Sequence, residues 1–138
     1  MNTAHLIRAA VLAAALQAGA FAGSAAAEMA AAEGDPMRGK AIYSRCLACH
    51  ALERDRVGPR HCGLFGRRAG TVPDFHYSDA MRRSGIVWSE ETLDRFLADP
   101  LKAVPGTTMG YAGVKDPNER RDLIAWLRYA GKTKALCP

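Results

Sequence analysis

Two cysteines and a histidine stand together in the run Cys46-Leu47-Ala48-Cys49-His50, and their types and spacing suit covalent chemistry. On a helix, residues three positions apart share one face, so each thiol can form a thioether with one vinyl group of the same haem. The histidine that follows directly can then place its imidazole on the iron as a ligand. The motif therefore predicts a c-type haem that is attached through Cys46 and Cys49 and ligated by His50.

Other uses of the cysteine pair remain open from the residues alone. A thioredoxin-like redox pair expects alternating strands and helices around it, and no strand pattern of convincing length appears. A zinc site expects a second closely spaced pair, which Cys62 and Cys137 do not form. A plain disulfide between Cys46 and Cys49 is the third alternative. The five-residue motif is more specific than any of these, so we favour haem.

The motif lies at the end of a predicted helix. An Asp-Pro pair at 35–36 supplies an N-cap and a proline at the first helical position, so we expect a helix from there to about Cys49. The segment 51–71 has no sustained periodicity, and its glycine and proline steps predict loops and turns. A short helix is predicted for residues 78–84, where Gly85 closes it.

Two more helices are predicted in the second half of the chain. Ser89 caps the first of them, and the Asp-Pro pair at 99–100 ends it. The last helix has Asp116 as its N-cap, Glu119 to complete a capping box, and Gly131 at the position of a C-cap. The predicted architecture is all-α, with several short helices and long loops that a large apolar cofactor would organise.

The first 27 residues differ in composition from the rest. Twelve of them are alanine, and Arg8 carries the only charged side chain. A basic start, an apolar stretch at 9–22 and small residues at 25–27 predict a cleaved secretory signal peptide, residues 1–27. Residues 28–138 then form one domain, which we expect in the periplasm. No later apolar stretch could span a bilayer, so no membrane insertion is expected after cleavage.

The charge of the chain is mildly basic. The net charge is +5 for the whole sequence and about +4 without residues 1–27. The basic residues are dispersed in short doublets, whereas a nucleic-acid-binding protein usually shows a dense basic stripe. Together with the export signal, this argues against a nucleic-acid partner. It leaves a solvated surface or docking to an acidic protein as the two interpretations.

From Gly34 to Ala130 the chain resembles class I cytochrome c, the small soluble electron carrier of mitochondria and the bacterial periplasm. Besides the haem motif, the segments that carry the resemblance occur in the family order. They are residues 34–40, 58–59, 63–67, 75–80, 85–88, 105–109 and 122–127. The resemblance implies the class I cytochrome c fold, in which short helices and loops wrap around one covalently bound haem.

The resemblance also implies the sixth ligand of the iron. It places Met109 there, and a soft thioether sulfur favours the ferrous state. The competitors among the other residues are Met29, Met37, Met81, His61 and His76.

Further roles follow from the same resemblance. The carbonyl of Pro59 is expected to accept a hydrogen bond from His50 and so to orient its ring. Five residues are expected at the haem propionates, namely Arg67, Tyr77, Ser78, Trp88 and Thr107. Four are expected to pack the first helix across the last, namely Gly39, Tyr43, Leu123 and Trp126.

Several positions depart from the commoner family pattern. Phe96 stands where a tyrosine usually approaches the methionine sulfur, and the run at 60–62, Arg-His-Cys, replaces a more usual polar–Leu–His run. Leu101 and Thr108 occupy places that lysines often hold near the exposed haem edge. These departures are expected to leave the fold unchanged and to alter the reduction potential and the affinity for redox partners.

The remaining cysteines, Cys62 and Cys137, are expected to form a disulfide. Once haem takes the other pair, an even number remains in an oxidising compartment. The family fold also brings the end of the last helix near Cys62. Two separate thiols are the alternative.

The leading hypothesis is a monomeric one-electron carrier with a single His/Met-ligated haem c. Its partners would be redox proteins with an acidic docking surface, such as a cytochrome bc complex, a terminal oxidase, a reaction centre or a periplasmic dehydrogenase. A haem enzyme or ligand-binding haem protein with a labile methionine, peroxidase-like in its chemistry, is the alternative. A haem-free zinc or disulfide interaction module is the third hypothesis.

Overall fold

The computed structural model describes residues 33–138 and shows an all-α architecture, as predicted. Its helices are α1 (Pro36–Tyr43), α2 (Asp79–Arg83), α3 (Glu90–Ala98), α4 (Pro100–Ala103) and α5 (Pro117–Lys132), with a 3-10 turn at Ser44–Cys46. Within these described residues, β pairing is limited to an isolated antiparallel bridge between Arg68 and Val87. No helix in this part of the chain has the length and apolar character needed to cross a membrane. The predicted signal peptide, residues 1–27, lies outside the described residues.

Side-chain caps fix the starts of the helices where the sequence predicted them. The Asp35 carboxylate accepts hydrogen bonds from the backbone N–H groups of Met37 and Arg38. At α3, Ser89 and Thr92 form a reciprocal capping box, in which each side chain bonds the other residue's backbone N–H. These contacts satisfy N–H groups that have no partner inside the helix, and so they set where each helix begins.

Two helix ends differ from the prediction. The α1 helix stops at Tyr43 rather than near Cys49, because the Ser44 hydroxyl donates to the Ala41 carbonyl and the chain tightens into the 3-10 turn. The Asp-Pro pair at 99–100 does end α3, but it also begins another helix. The Asp99 carboxylate accepts from the N–H of Lys102 and caps α4, a helix that the sequence pattern did not predict.

The ends of α5 also correct the prediction. Asp116 caps the helix by accepting from the N–H of Asn118, but Glu119 bonds Arg45 and does not complete a capping box. The helix runs through Gly131, which is not a C-cap. Thr133 ends it instead, because its N–H reaches the Ala130 carbonyl and its hydroxyl donates to the Tyr129 carbonyl.

The first and last helices cross closely, as predicted. Gly39 lies against α5, and a Cβ atom there would stand 2.8 Å from the Trp126 Cβ and closer still to the Asp122 backbone. Only glycine permits that approach. On one side of the crossing, Arg38 Nε donates to Asp122 Oδ2 at 2.7 Å. That hydrogen bond lowers the pKa of the Asp122 carboxyl below its ordinary value.

Candidate haem site

Many of the buried apolar side chains in residues 33–138 line a cavity. Its walls are mostly apolar, and they include Leu64, Leu93, Leu97 and Leu127. Protein interiors are normally packed as densely as organic crystals, so a core that opens onto a cavity fits a large apolar group.

The residues predicted for the cofactor all line this one cavity, although they come from distant parts of the chain. They are Cys46, Cys49, His50, Pro59, Arg67, Tyr77, Ser78, Trp88, Thr107 and Met109. The competing ligands divide into two groups. Met81 and His61 also line the cavity, whereas Met37 and His76 are exposed at the surface, and Met29 lies outside the described residues.

The ring of His50 is buried and held in a defined orientation. Its Nδ1 lies 2.8 Å from the carbonyl oxygen of Pro59. A carbonyl can only accept, so Nδ1 carries the proton and Nε2 keeps the lone pair that a metal needs. A Cβ atom on Gly58 would stand 2.6 Å from Nε2, so glycine leaves the space for the ring. Burial lowers the pKa of His50, which favours the neutral imidazole.

His61 lies against His50 instead of standing apart as a separate candidate ligand. The two rings are stacked, with centroids 4.4 Å apart and planes 21° apart. His61 Nδ1 is 3.0 Å from the hydroxyl of Tyr43. Burial lowers the pKa of His61 to about 3, so its imidazole is neutral. The sequence offered no signal for this arrangement beyond the unusual run at 60–62.

The four cysteines fall into two pairs. Cys46 and Cys49 are free and lie in one tight turn, with the Cys49 N–H bonded to the Cys46 carbonyl at 3.1 Å. Burial raises the pKa of the Cys46 thiol to about 11, which keeps it protonated and disfavours thiolate-based redox exchange. Cys62 and Cys137 form a disulfide with Cα atoms 5.4 Å apart, so they are not available to a zinc site.

Met109 reaches the cavity from the loop that joins α4 to α5. Its backbone N–H donates to the Thr107 hydroxyl at 3.3 Å. The end of the loop is fixed to α3, because Val114 N–H donates to the Leu97 carbonyl at 2.8 Å. Gly113 has a φ of 90° and lies so close to α3 that a side chain would collide with its backbone.

Polar groups gather where the resemblance expects the haem propionates. Arg67 is half-buried and donates to the carbonyls of Cys62 and Arg60, both at 2.9 Å. Neutral carbonyls orient the guanidinium without cancelling its charge, so it remains suited to an anionic group in the cavity. Burial raises the pKa of the Tyr77 hydroxyl, which keeps it a hydrogen-bond donor. The residues present therefore fit a haem with carboxylate substituents.

Comparisons with known proteins show which family the chain resembles. The sequence is 43% identical over 97 residues to cytochrome c2 of Rhodomicrobium vannielii, covering 68% of this chain and 78% of the relative. It is 42% identical over 108 residues to cytochrome c2 of Agrobacterium tumefaciens, covering 74% and 97%. A solved structure, cytochrome cH from Methylobacterium extorquens, matches with a TM-score of 0.68 and 40% identity, over 70% of this chain and 99% of that one. No protein-family model matches the chain.

The chain therefore belongs to the class I c-type cytochromes, and its fold is theirs. Members of this family carry covalently bound haem c and transfer electrons between redox partners.

Proposed function

We propose that this protein is a monomeric, periplasmic one-electron carrier with a single haem c. The haem is attached to Cys46 and Cys49, and the iron is ligated by His50 and Met109. The observation that carries the proposal is the convergence of all ten predicted residues on one largely apolar cavity. When bound there, haem supplies a reversible one-electron change at iron.

The protein's own groups would hold the iron in a six-coordinate state. The Pro59 carbonyl keeps the proton of His50 on Nδ1 and leaves Nε2 free to bind. The thioether of Met109 is the second donor, and its loop is fixed to α3 at Val114. Bound together, these two donors would leave little access for a further ligand, and the apolar walls would exclude water from the metal. Arg67 would compensate the negative charge of the propionates, and the neutral Tyr77 hydroxyl would donate a hydrogen bond to them.

The visible and near-infrared spectrum of the purified holoprotein tests this proposal. We expect low-spin, six-coordinate haem with a methionine–iron charge-transfer band, and one haem per chain that survives extraction with acidic organic solvent. High-spin haem would contradict the His/Met assignment, and a colourless protein would contradict haem altogether. A signal-processed chain recovered from the periplasmic fraction would support the proposed location, and an unprocessed cytoplasmic chain would refute it.

A ligand-binding or peroxidase-like haem protein is the second candidate. The observation in its favour is the position of Met109, which is only partly buried in a loop with positive-φ glycines at 106 and 113. Loss of that ligand would open the iron to small molecules. Turnover of a peroxidase substrate by the wild-type holoprotein at neutral pH would favour this candidate over the electron carrier.

Docking is proposed to involve an acidic partner, such as one of the redox complexes named above. Lys102 in α4 is exposed, and it lies in a segment that flanks the haem edge in the family fold. We expect Lys102→Glu to slow electron transfer to an acidic redox protein, with a larger effect at low salt, because exposed charges are screened beyond about 8 Å at physiological ionic strength. Stopped-flow kinetics across a salt series measure the rate. Lys134→Glu, beyond α5, makes the same charge change elsewhere. Equal slowing by both variants would refute a specific docking face.

A further inference from the structure

His61 is fixed in place by its backbone as well as by its ring. Its N–H donates to the Ala51 and Leu52 carbonyls at 3.2 and 3.0 Å, and the next N–H, of Cys62, donates to Leu52 at 2.7 Å. Arg67 binds the carbonyls on either side of it, at Arg60 and Cys62. The disulfide from Cys62 to Cys137 anchors the same segment to the end of the chain.

The ring of His61 is fixed by Tyr43. The phenolic oxygen lies 3.0 Å from Nδ1, and the two ring centroids are 5.6 Å apart. Tyr43 itself is buried at the end of α1, where it packs against Trp126 of α5 at 6.4 Å between centroids. The orientation of His61 is therefore tied to the crossing of the first and last helices.

A single hydrogen bond does not fix the plane of an imidazole. The contact from His50 Nδ1 to the Pro59 carbonyl holds one atom, and the ring could still swing about the line through it. The stacked face of His61, with its centroid 4.4 Å away, blocks that motion on one side. Gly58 stands against the same imidazole and leaves no room for it to move toward the backbone.

We infer that Tyr43 and His61 form a positioning pair that sets the plane of the His50 imidazole and thereby the ligand field of the haem iron. This inference rests on the proposed function, in which His50 binds the iron. The pair acts through His50 and does not itself touch the metal. The stacked ring of His61 restricts how the His50 ring can turn, and the Tyr43 hydroxyl determines the orientation of that stacked ring.

Two variants and one control test the inference in the holoprotein. Tyr43→Phe removes the hydroxyl and keeps the ring, whereas His61→Leu removes the stacked ring and keeps comparable volume. His76→Leu, at an exposed histidine that does not line the cavity, is the control. The ferric g-values by electron paramagnetic resonance and the paramagnetically shifted haem-methyl resonances by NMR report the orientation of the axial ligand planes.

We expect Tyr43→Phe and His61→Leu to shift the g-values and respace the haem-methyl resonances, with no such change in His76→Leu. The double variant Tyr43→Phe/His61→Leu should have the same spectra as His61→Leu alone, because the Tyr43 hydroxyl acts only through the ring of His61. Folded variants with wild-type spectra would overturn the inference, as would additive effects in the double variant. Tyr43→Phe, the milder change, answers the question if His61→Leu does not fold. A wild-type protein without low-spin His-ligated haem would instead refute the proposed function.

Discussion

Breaking the bond between Cys62 and Cys137 should destabilise the protein by an amount that follows from the length of chain it closes. The two residues are 75 positions apart, so the bridge restricts most of the domain in the unfolded state. The loop-entropy relation gives about 4 kcal/mol for a loop of that length. At roughly 0.25 kcal/mol per kelvin of unfolding entropy for about 110 residues, this corresponds to a loss of about 15–20 °C in Tm.

The covalent attachment expected at the haem motif allows the disulfide to be reduced selectively. Thioethers resist thiol reductants, so a reductant added to the ferrous holoprotein should break only the disulfide. Denaturant titrations with and without reductant, followed by far-ultraviolet circular dichroism, give the two free energies of unfolding. The double variant Cys62→Ala/Cys137→Ala is the control, and reductant should leave its midpoint unchanged.

The wild-type protein should also show no titratable thiols when it is unfolded without reductant. Two free thiols per chain would refute the bridge itself. Equal stability of the oxidised and reduced forms would refute the energetic argument, and it would mean that the unfolded chain stays compact through its attached haem.

Three further predictions concern the cofactor and the helix crossing. Met109→Ala should remove the methionine–iron band, lower the reduction potential and admit cyanide faster, whereas Met81→Leu, in the same cavity, should keep the band; the reverse result would reassign the ligand. Gly39→Ala should cost about 3 kcal/mol in a denaturant titration, because the added methyl group meets the backbone of α5; near-neutral stability would show that the two helices can move apart at little cost. Arg38 lowers the pKa of Asp122 in the folded protein. The Arg38–Asp122 pair therefore adds to the free energy of unfolding above the unfolded carboxyl pKa of about 3.9, and this contribution disappears as pH falls through the lowered folded-state pKa. Asp122→Asn should therefore flatten the stability profile at acid pH, and an unchanged acid profile would exclude this pair as its source.

The features that were predictable from the sequence are those whose cause is local. An N-cap needs a short polar side chain two or three residues before the N–H it accepts from, and Asp35, Ser89 and Asp116 all provide one. The haem motif is equally local, since three positions along the chain are enough to bring Cys46 and Cys49 into one turn.

The features that could not be predicted from the sequence depend on partners far along the chain. The hydroxyl of Tyr43 meets His61 because α1 and the loop after Pro59 converge on the same cavity. Nothing in either local segment marks that hydrogen bond. The run at 60–62 departs from the family pattern, but a departure alone does not indicate what the new side chain touches.

Glu119 shows how a partner far along the chain can overturn a local prediction. Its carboxylate could have capped α5, but it receives Arg45 Nη1 at 2.7 Å and Nη2 at 2.8 Å across 74 positions of the sequence. A bidentate guanidinium contact is geometrically better than a bond to a single N–H that water can also satisfy, so the capping box does not form. The same ion pair compensates the charge of Arg45, directly before the haem motif, while Leu47, Val57 and Leu101 remain exposed. A redox partner that docks beside the haem motif would therefore meet more apolar surface and less unpaired positive charge than the number of basic residues suggests. The salt dependence of electron transfer in the wild type and in Lys102→Glu tests this expectation.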